Sequence, residues 1–294
     1  MWIATRASLL SPPGACQAFR ILSISGRVPH WSMQTEDYEY LYRLEESFWW
    51  FAGMREITAA LLDAYLVPQD RVILDAGCGT GGNIEWLARY AGQGRVAGID
   101  LIETALKFCR ERGAQRLAQG SATDLPFANE SFDLVTSFDV LVQIPCEGAD
   151  EQAIREMFRV LKPGGIAFVR CAAYEWMKSG HDAALGTCRR YDLGEISEKL
   201  RRSGFEILRE TYANSVLFPV AAIRRLILKR LGLADSGSDV KPLPPGLEWL
   251  NQILLRVLQG EAAKLKKEKA RLSFGLSTIC IARKPGPNKT PGER

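Results

Sequence analysis

Between residues 71 and 212, short β-branched and apolar runs alternate with stretches of helical spacing, and no other feature restricts the fold of this chain so tightly. The pattern predicts strands at 71–75, 95–100, 115–119, 132–137, 166–172 and 205–212, with helices at 82–90, 103–112, 150–161 and 193–203. Strands joined through helices pair in parallel, because the crossover carries the chain back to start each strand at the same end. The order therefore implies an α/β, Rossmann-like, doubly wound sheet with helices on both faces. Ligands of such a sheet sit beyond the carboxyl ends of its strands.

The first of those ends is the most informative. Residues 72–83 read Val-Ile-Leu-Asp-Ala-Gly-Cys-Gly-Thr-Gly-Gly-Asn, so an acid, Asp75, closes the strand and Gly77, Gly79, Gly81 and Gly82 follow. Glycine backbone turns tightly and brings N–H groups close to a ligand that a side chain would block. Asp100, at the end of the second strand, suits a ribose diol, because one carboxylate accepts two hydroxyl hydrogen bonds. Gly77-x-Gly79-x-x-Gly82 also satisfies the dinucleotide fingerprint, which leaves an NAD(P)-dependent oxidoreductase as an alternative. Charge separates the two ligands: Asp75 repels a pyrophosphate and attracts an ammonium or a sulfonium.

Asp75-Ala-Gly-Cys-Gly-Thr-Gly-Gly resembles the glycine-rich signature of class I S-adenosylmethionine-dependent methyltransferases, of the type 11/12-like kind. Three further stretches resemble the same family in its own order: 120–127 as the adenine-side loop, 131–135 as the fourth strand and 160–165 as the turn before the fifth. The resemblance implies S-adenosyl-L-methionine as the cofactor and a seven-stranded, mostly parallel sheet, with a helical insertion before a last strand at 273–284 that pairs antiparallel beside the sixth. It places Gly77, Cys78, Gly79 and Gly81 at the methionine end with Asp75 on the ammonium directly or through water, Asp100 on the ribose, and Leu101 or Ile102 on the adenine. Where the family often carries an acid after the loop glycine, this chain has Ser121. Either the Ser121 hydroxyl or Asp124 then meets the adenine amino group, and the Ala122 N–H is available for a ring nitrogen.

A sulfonium is intrinsically reactive, so the protein has mainly to align an acceptor and exclude water, with a base needed for a hydroxyl or an unactivated carbon. After the fourth strand the chain reads Ser-Phe-Asp-Val-Leu-Val-Gln-Ile-Pro over 137–145, without the turn found in methyltransferases acting on planar nitrogens of DNA bases or glutamine. Asp139 falls near the reactive end. The loop from His181 to Asp192 supplies His181 as a candidate base, Arg189 and Arg190 as a clamp for an anionic acceptor, and Tyr191 beside them. This loop and residues 45–55 resemble a bacterial methyltransferase subgroup associated with glycan or lipid biosynthesis. Phe48, Trp49 and Trp50 would then belong to a helical lid at 33–66 over the acceptor. The implied activity is O- or C-methylation of a small-molecule, glycan or lipid-linked acceptor; a methyltransferase-like binding protein without chemistry is the other alternative.

A net charge of +4 in 294 residues gives no nucleic-acid footprint, and no nucleic-acid partner is expected. The basic excess is local. Residues 216–272, after the core at 67–215, carry eleven Lys/Arg against five Asp/Glu in two amphipathic helices separated by a Pro/Gly/Ser-rich loop at 236–246. They read as an acceptor-binding cap, with membrane-surface contact as a second reading. Seven scattered cysteines and two histidines support neither a disulfide framework nor a metal site, and no apolar run reaches spanning length, so a cytoplasmic protein is expected. Residues 1–32 hold three arginines and no acid; they suit a transit peptide or, preferably, an extension upstream of Met33. They and the tail at 285–294 are expected to stay outside the fold.

Overall fold

The computed structural model describes residues 35–230 and 246–286; the expectations for 1–32, for the loop at 236–245 and for the tail beyond 286 lie outside the described residues. Two helices, α1 (Thr35–Ser47) and α2 (Trp49–Leu62), precede β1 (Val72–Ala76). Strands and helices then alternate through α3 (Gly82–Leu87), β2 (Arg95–Asp100), α4 (Glu103–Glu111), β3 (Leu117–Gln119), β4 (Phe132–Phe138), α5 (Ala149–Val160) and β5 (Leu161–Ala172). The short α6 (Gly180–Ala184), α7 (Leu193–Arg202), β6 (Glu206–Ala213), α8 (Phe218–Arg230), α9 (Glu248–Leu265) and β7 (Ser277–Arg283) complete the chain.

The seven strands form one sheet in the order β3-β2-β1-β4-β5-β7-β6. β1 pairs in parallel with both β2 and β4, so the strand order reverses at β1 and a crevice opens beside its carboxyl end. β7 is antiparallel, as expected, but it lies between β5 and β6 and pairs with both. Its run Thr278 to Ala282 is buried throughout, which suits a strand flanked on both sides and covered on both faces. Successive residues feed opposite faces: Ile73, Leu134 and Phe168 enter the core under α2 and α9, while Leu74, Val135 and Val169 enter the core under α5 and α7.

The N-terminal helices are fixed to the sheet by the segment that precedes β7. α2 and α9 lie against each other where Gly53 meets Leu258; a Cβ on Gly53 would stand 2.6 Å from the Leu258 Cβ, so glycine is what permits the approach. The start of α2 has no cap from its own neighbour Phe48. Asn251 of α9 supplies it instead: its Oδ1 accepts from the Trp49 N–H at 2.8 Å and its Nδ2 donates to the Ser47 carbonyl at 3.0 Å. A side-chain oxygen there satisfies a donor that the helix leaves orphaned. At the far end of α9, Arg209 from β6 donates to the carbonyls of Leu265, Lys267 and Ala270. Asn251→Ala is expected to lower the unfolding free energy by about 1 kcal/mol. Urea denaturation checks the magnitude, and hydrogen exchange should show the first turn of α2 opening before the sheet.

Candidate functional site

At the carboxyl end of β1 the backbone passes through left-handed conformations at Gly77 (φ 84), Gly79 (φ 54) and Gly81 (φ 89), which side chains rarely tolerate. The surroundings of each glycine differ. A Cβ on Gly77 would stand 2.3 Å from a Val140 methyl, so the turn packs directly on the loop after β4. A Cβ on Gly79 would meet nothing within 4 Å, because Gly79 faces a cavity of about 630 Å³. Gly77 and Cys78 line the same cavity, but Gly81 does not: it starts α3 against Cys109 and serves packing, which corrects its expected place among the ligand-facing residues.

The turn is held from behind by a residue that sequence reasoning passed over. Glu45, buried on α1, accepts from the Thr80 hydroxyl at 2.5 Å and from the Gly82 N–H at 3.0 Å, so a carboxylate stands at the N-terminus of α3. Arg112 closes the arrangement, pairing with Glu45 at 3.4 Å and Glu46 at 2.9 Å and donating to the carbonyls of Tyr42 and Thr80. The only signal in the sequence was an acid just before the aromatic run 48–51; nothing local tied it to a turn 35 residues away.

Two acids flank the turn. Asp100 lines the cavity with each carboxylate oxygen fixed by one backbone N–H, Gly79 on Oδ2 and Ile102 on Oδ1, both at 2.9 Å. Each oxygen keeps a second lone pair for a diol. Burial pushes the Asp100 carboxyl up to about 6 against the pull of those N–H groups. Asp75 lies beneath the turn. Its Oδ1 accepts from Thr136 at 2.8 Å and its Oδ2 has no partner, and burial raises its pKa to about 7. Asp75 is buried and is not among the residues that line the cavity, so its charge can act on a ligand only from beneath the turn.

On the expected adenine side, Leu101, Ile102, Ser121 and Ala122 all line the cavity. The Ser121 hydroxyl is within 2.8 Å of that of Thr123 and accepts from the Thr123 N–H. Asp124 is exposed and outside the cavity, since the tight turn in which its N–H meets the Ser121 carbonyl carries its side chain away; of the two alternatives only Ser121 is in place.

Beyond the glycine turn the walls are mostly apolar, from Phe48, Trp49, Trp50 and Met54 of the N-terminal helices to Phe138, Val142 and Leu254. Asp139 adopts φ 58 on this wall and is gripped by Arg170, whose Nε and Nη2 both reach its Oδ2, at 2.8 and 2.7 Å. The Arg170 guanidinium lies 4.9 Å from the Trp50 ring and 5.0 Å from that of Phe138. Arg190 also faces the cavity, but its charge is already engaged by Asp182, at 2.7 Å through Nε and 3.1 Å through Nη2. Arg189 pairs with Asp150 and Glu195, so the expected anion clamp does not form. Tyr191 is fully buried with its hydroxyl on Asp150 at 2.8 Å, which raises its pKa above the usual range after burial has done so, and it is not part of the cavity. His181 lies in α6, with its side chain outside the described residues. Among the described residues no cluster of His, Cys, Asp and Glu would hold a metal ion.

A family model described as a methyltransferase domain matches residues 74–169. A probable S-adenosylmethionine-dependent methyltransferase of Mycolicibacterium smegmatis is 30% identical over 166 residues, 55% of this chain and 61% of that protein. The 2-phytyl-1,4-naphtoquinone methyltransferase of Thermosynechococcus vestitus is 40% identical over 111 residues, 35% of this chain and 47% of that one. The chain thus spans about half to three fifths of the length of these curated relatives. Among solved structures, phosphoethanolamine N-methyltransferase 2 of Haemonchus contortus, in complex with S-adenosyl-L-methionine, shares the fold with a TM-score of 0.55 at 17% identity, covering 94% of this chain and 61% of that one.

The anchoring of the turn is testable apart from chemistry. Glu45→Ala leaves Arg112 and the Gly82 N–H short of a buried partner and is expected to cost about 2 kcal/mol of stability. Glu45→Gln, which keeps an acceptor, should cost less; denaturant titrations of the two variants check the order.

Proposed function

We propose that this chain, whose residues 74–169 belong to the class I S-adenosylmethionine-dependent methyltransferase family, methylates a small-molecule or lipid-linked acceptor with a large apolar body, at an oxygen or a carbon. One observation carries the reading. A single cavity runs from Gly79, Asp100 and Ser121 to the aromatic wall of Trp49, Trp50 and Phe138, so a cofactor and an acceptor would share one space.

When bound, S-adenosyl-L-methionine supplies a methyl group on a positively charged sulfur. In this reading Asp100 accepts the ribose hydroxyls, Asp75 lends negative charge to the ammonium from beneath the turn, and Ser121 with Ala122 meets the adenine edge. Phe48, Trp49 and Trp50 exclude water from the acceptor side and give it an apolar bed. Arg170 holds Asp139 by its Oδ2, and Asp139 lines the cavity, where its other oxygen would receive the proton of an acceptor hydroxyl. Arg170 and Arg190 each have a carboxylate partner, so neither is left to clamp the anion expected from the sequence. The relative whose name specifies a phytyl naphthoquinone acceptor agrees with an apolar body.

Isothermal titration with S-adenosylhomocysteine, followed by its release in turnover on a panel of apolar hydroxylated acceptors, tests the proposal. Binding without release on any acceptor would support a binding protein, and preference for NAD over S-adenosylhomocysteine would overturn the reading. Asp100→Ala is expected to weaken S-adenosylhomocysteine about a hundredfold, from two lost charge-assisted hydrogen bonds; unchanged affinity would remove Asp100 from the site. Asp75 adds a pH signature. Its carboxyl, raised to about 7, holds a proton more tightly in the ligand-free fold than an ordinary aspartate does, and that proton competes with a cationic ligand. Affinity should therefore rise with pH, by about tenfold between pH 6 and 8, as follows from a titration centred near 7. Asp75→Asn should flatten that rise.

A further inference from the structure

We propose that the outward face of α8 docks on an anionic lipid surface, bringing the mouth of the cavity to the bilayer. Val216 and, on the helix, Val220, Ile223 and Ile227 follow one another at offsets of four, three and four, which sets them on one side of the helical turn, with Leu226 beside them. They are 57%, 68%, 58%, 52% and 54% exposed, where an amphipathic helix normally buries its apolar stripe. The opposite side is fixed to the protein: Ala222 is buried, and Arg225 is buried with its guanidinium donating to the Met177 carbonyl at 2.6 Å. The exposed face is therefore a surface held in place. At its base the Phe218 ring meets Trp176 and Phe274, at 6.3 and 5.5 Å, and both are about half exposed, so aromatic side chains extend the patch.

Charge selects the occupant. α8 contains Arg224, Arg225, Lys229 and Arg230 and no acid, and Arg224 and Arg230 are exposed at the margins of the stripe. Apolar side chains bordered by cations, with aromatics at the edge, match the headgroup and upper acyl region of a membrane carrying anionic lipid. A second copy using the same face would set two wholly cationic helices against each other. The helix also forms a wall of the cavity through Leu217, Val220, Ala221 and Arg224. On the proposed function, an acceptor with an apolar body would then enter from the lipid phase without crossing water.

Flotation of the full chain with vesicles of phosphatidylcholine, alone or mixed with phosphatidylglycerol, tests the docking. Binding to the mixed vesicles is expected, weakening as salt is raised. The double variant Ile223→Glu with Ile227→Glu should lose about tenfold or more in vesicle affinity through the lost apolar insertion, and Arg230→Gln about fivefold on the mixed vesicles alone. Both should keep the wild-type affinity for S-adenosylhomocysteine, which shows that the fold is intact. If the double variant does not fold, the salt dependence and Arg230→Gln decide. No wild-type binding, equal binding to both vesicle types, undiminished binding by the variants, or a lipid-free dimer that the double variant converts to monomer would each overturn the proposal. Vesicle binding is read without turnover, so its failure leaves the methyl-transfer reading standing, and the reverse.

Discussion

Everything ligand-facing in this molecule depends on a backbone turn that has to be left bare on one side and packed hard on the others. Val140 presses on Gly77, Cys109 on Gly81 and Glu45 on Gly82, while Gly79 alone would have open space at a Cβ. The packing explains why four glycines are needed although only two of them line the pocket. Gly77 and Gly79 let the chain reverse at the end of β1; Gly81 and Gly82 let α3 begin in contact with α4 and α1. Because the strand order reverses at β1, the turn stands in the crevice between two neighbours, and Asp100 from the adjacent strand end reaches it directly through the Gly79 N–H.

The acceptor side is built differently, from segments far apart in the chain. α2 places Trp49 and Trp50 over the cavity, but its first turn is capped by Asn251, 202 residues away. The cap and the glycine contact at Gly53 make α9 part of the site's support although it contributes little of the surface. Such division is reasonable for the proposed methyl transfer. The cofactor end must hold a fixed geometry, so it is set by the sheet, whereas the acceptor end has to differ from one protein to another and is made from additions at either end of the sheet.

The contrast also explains what could be read from sequence. The parallel core, the glycine turn and the acids beside it at Asp75 and Asp100 were visible because each follows from local chemistry at a strand end, whereas Ser121 came forward only through the family resemblance. The start of α2 at Trp49 was not legible, since its cap is non-local and no pattern in the helix announces it. β7 was placed beside β6 correctly but not between β5 and β6, because alternation reveals a strand and not its neighbours. Arg190 and Tyr191 were grouped with the acceptor on position in the loop. Their partners, Asp182 and Asp150, satisfy them internally, and pairing is invisible until both ends are located.

Paired charges lining an apolar cavity have a role other than attraction. Arg170 is shared between Asp139, which neutralises it, and the rings of Trp50 and Phe138, which lie against its guanidinium. Removing water from an unpaired guanidinium would be costly, whereas a carboxylate partner lets the group be buried and used as a rigid spacer. The ion pair therefore fixes the separation between the aromatic wall carried by α2 and the end of β4, and Asp139 holds its positive φ because Arg170 grips it by side chain and by backbone, the Asp139 N–H bonding to the Arg170 carbonyl at 2.9 Å. Orientation of the aromatic wall and placement of Asp139 beside it are in this way a single structural decision, made by Arg170.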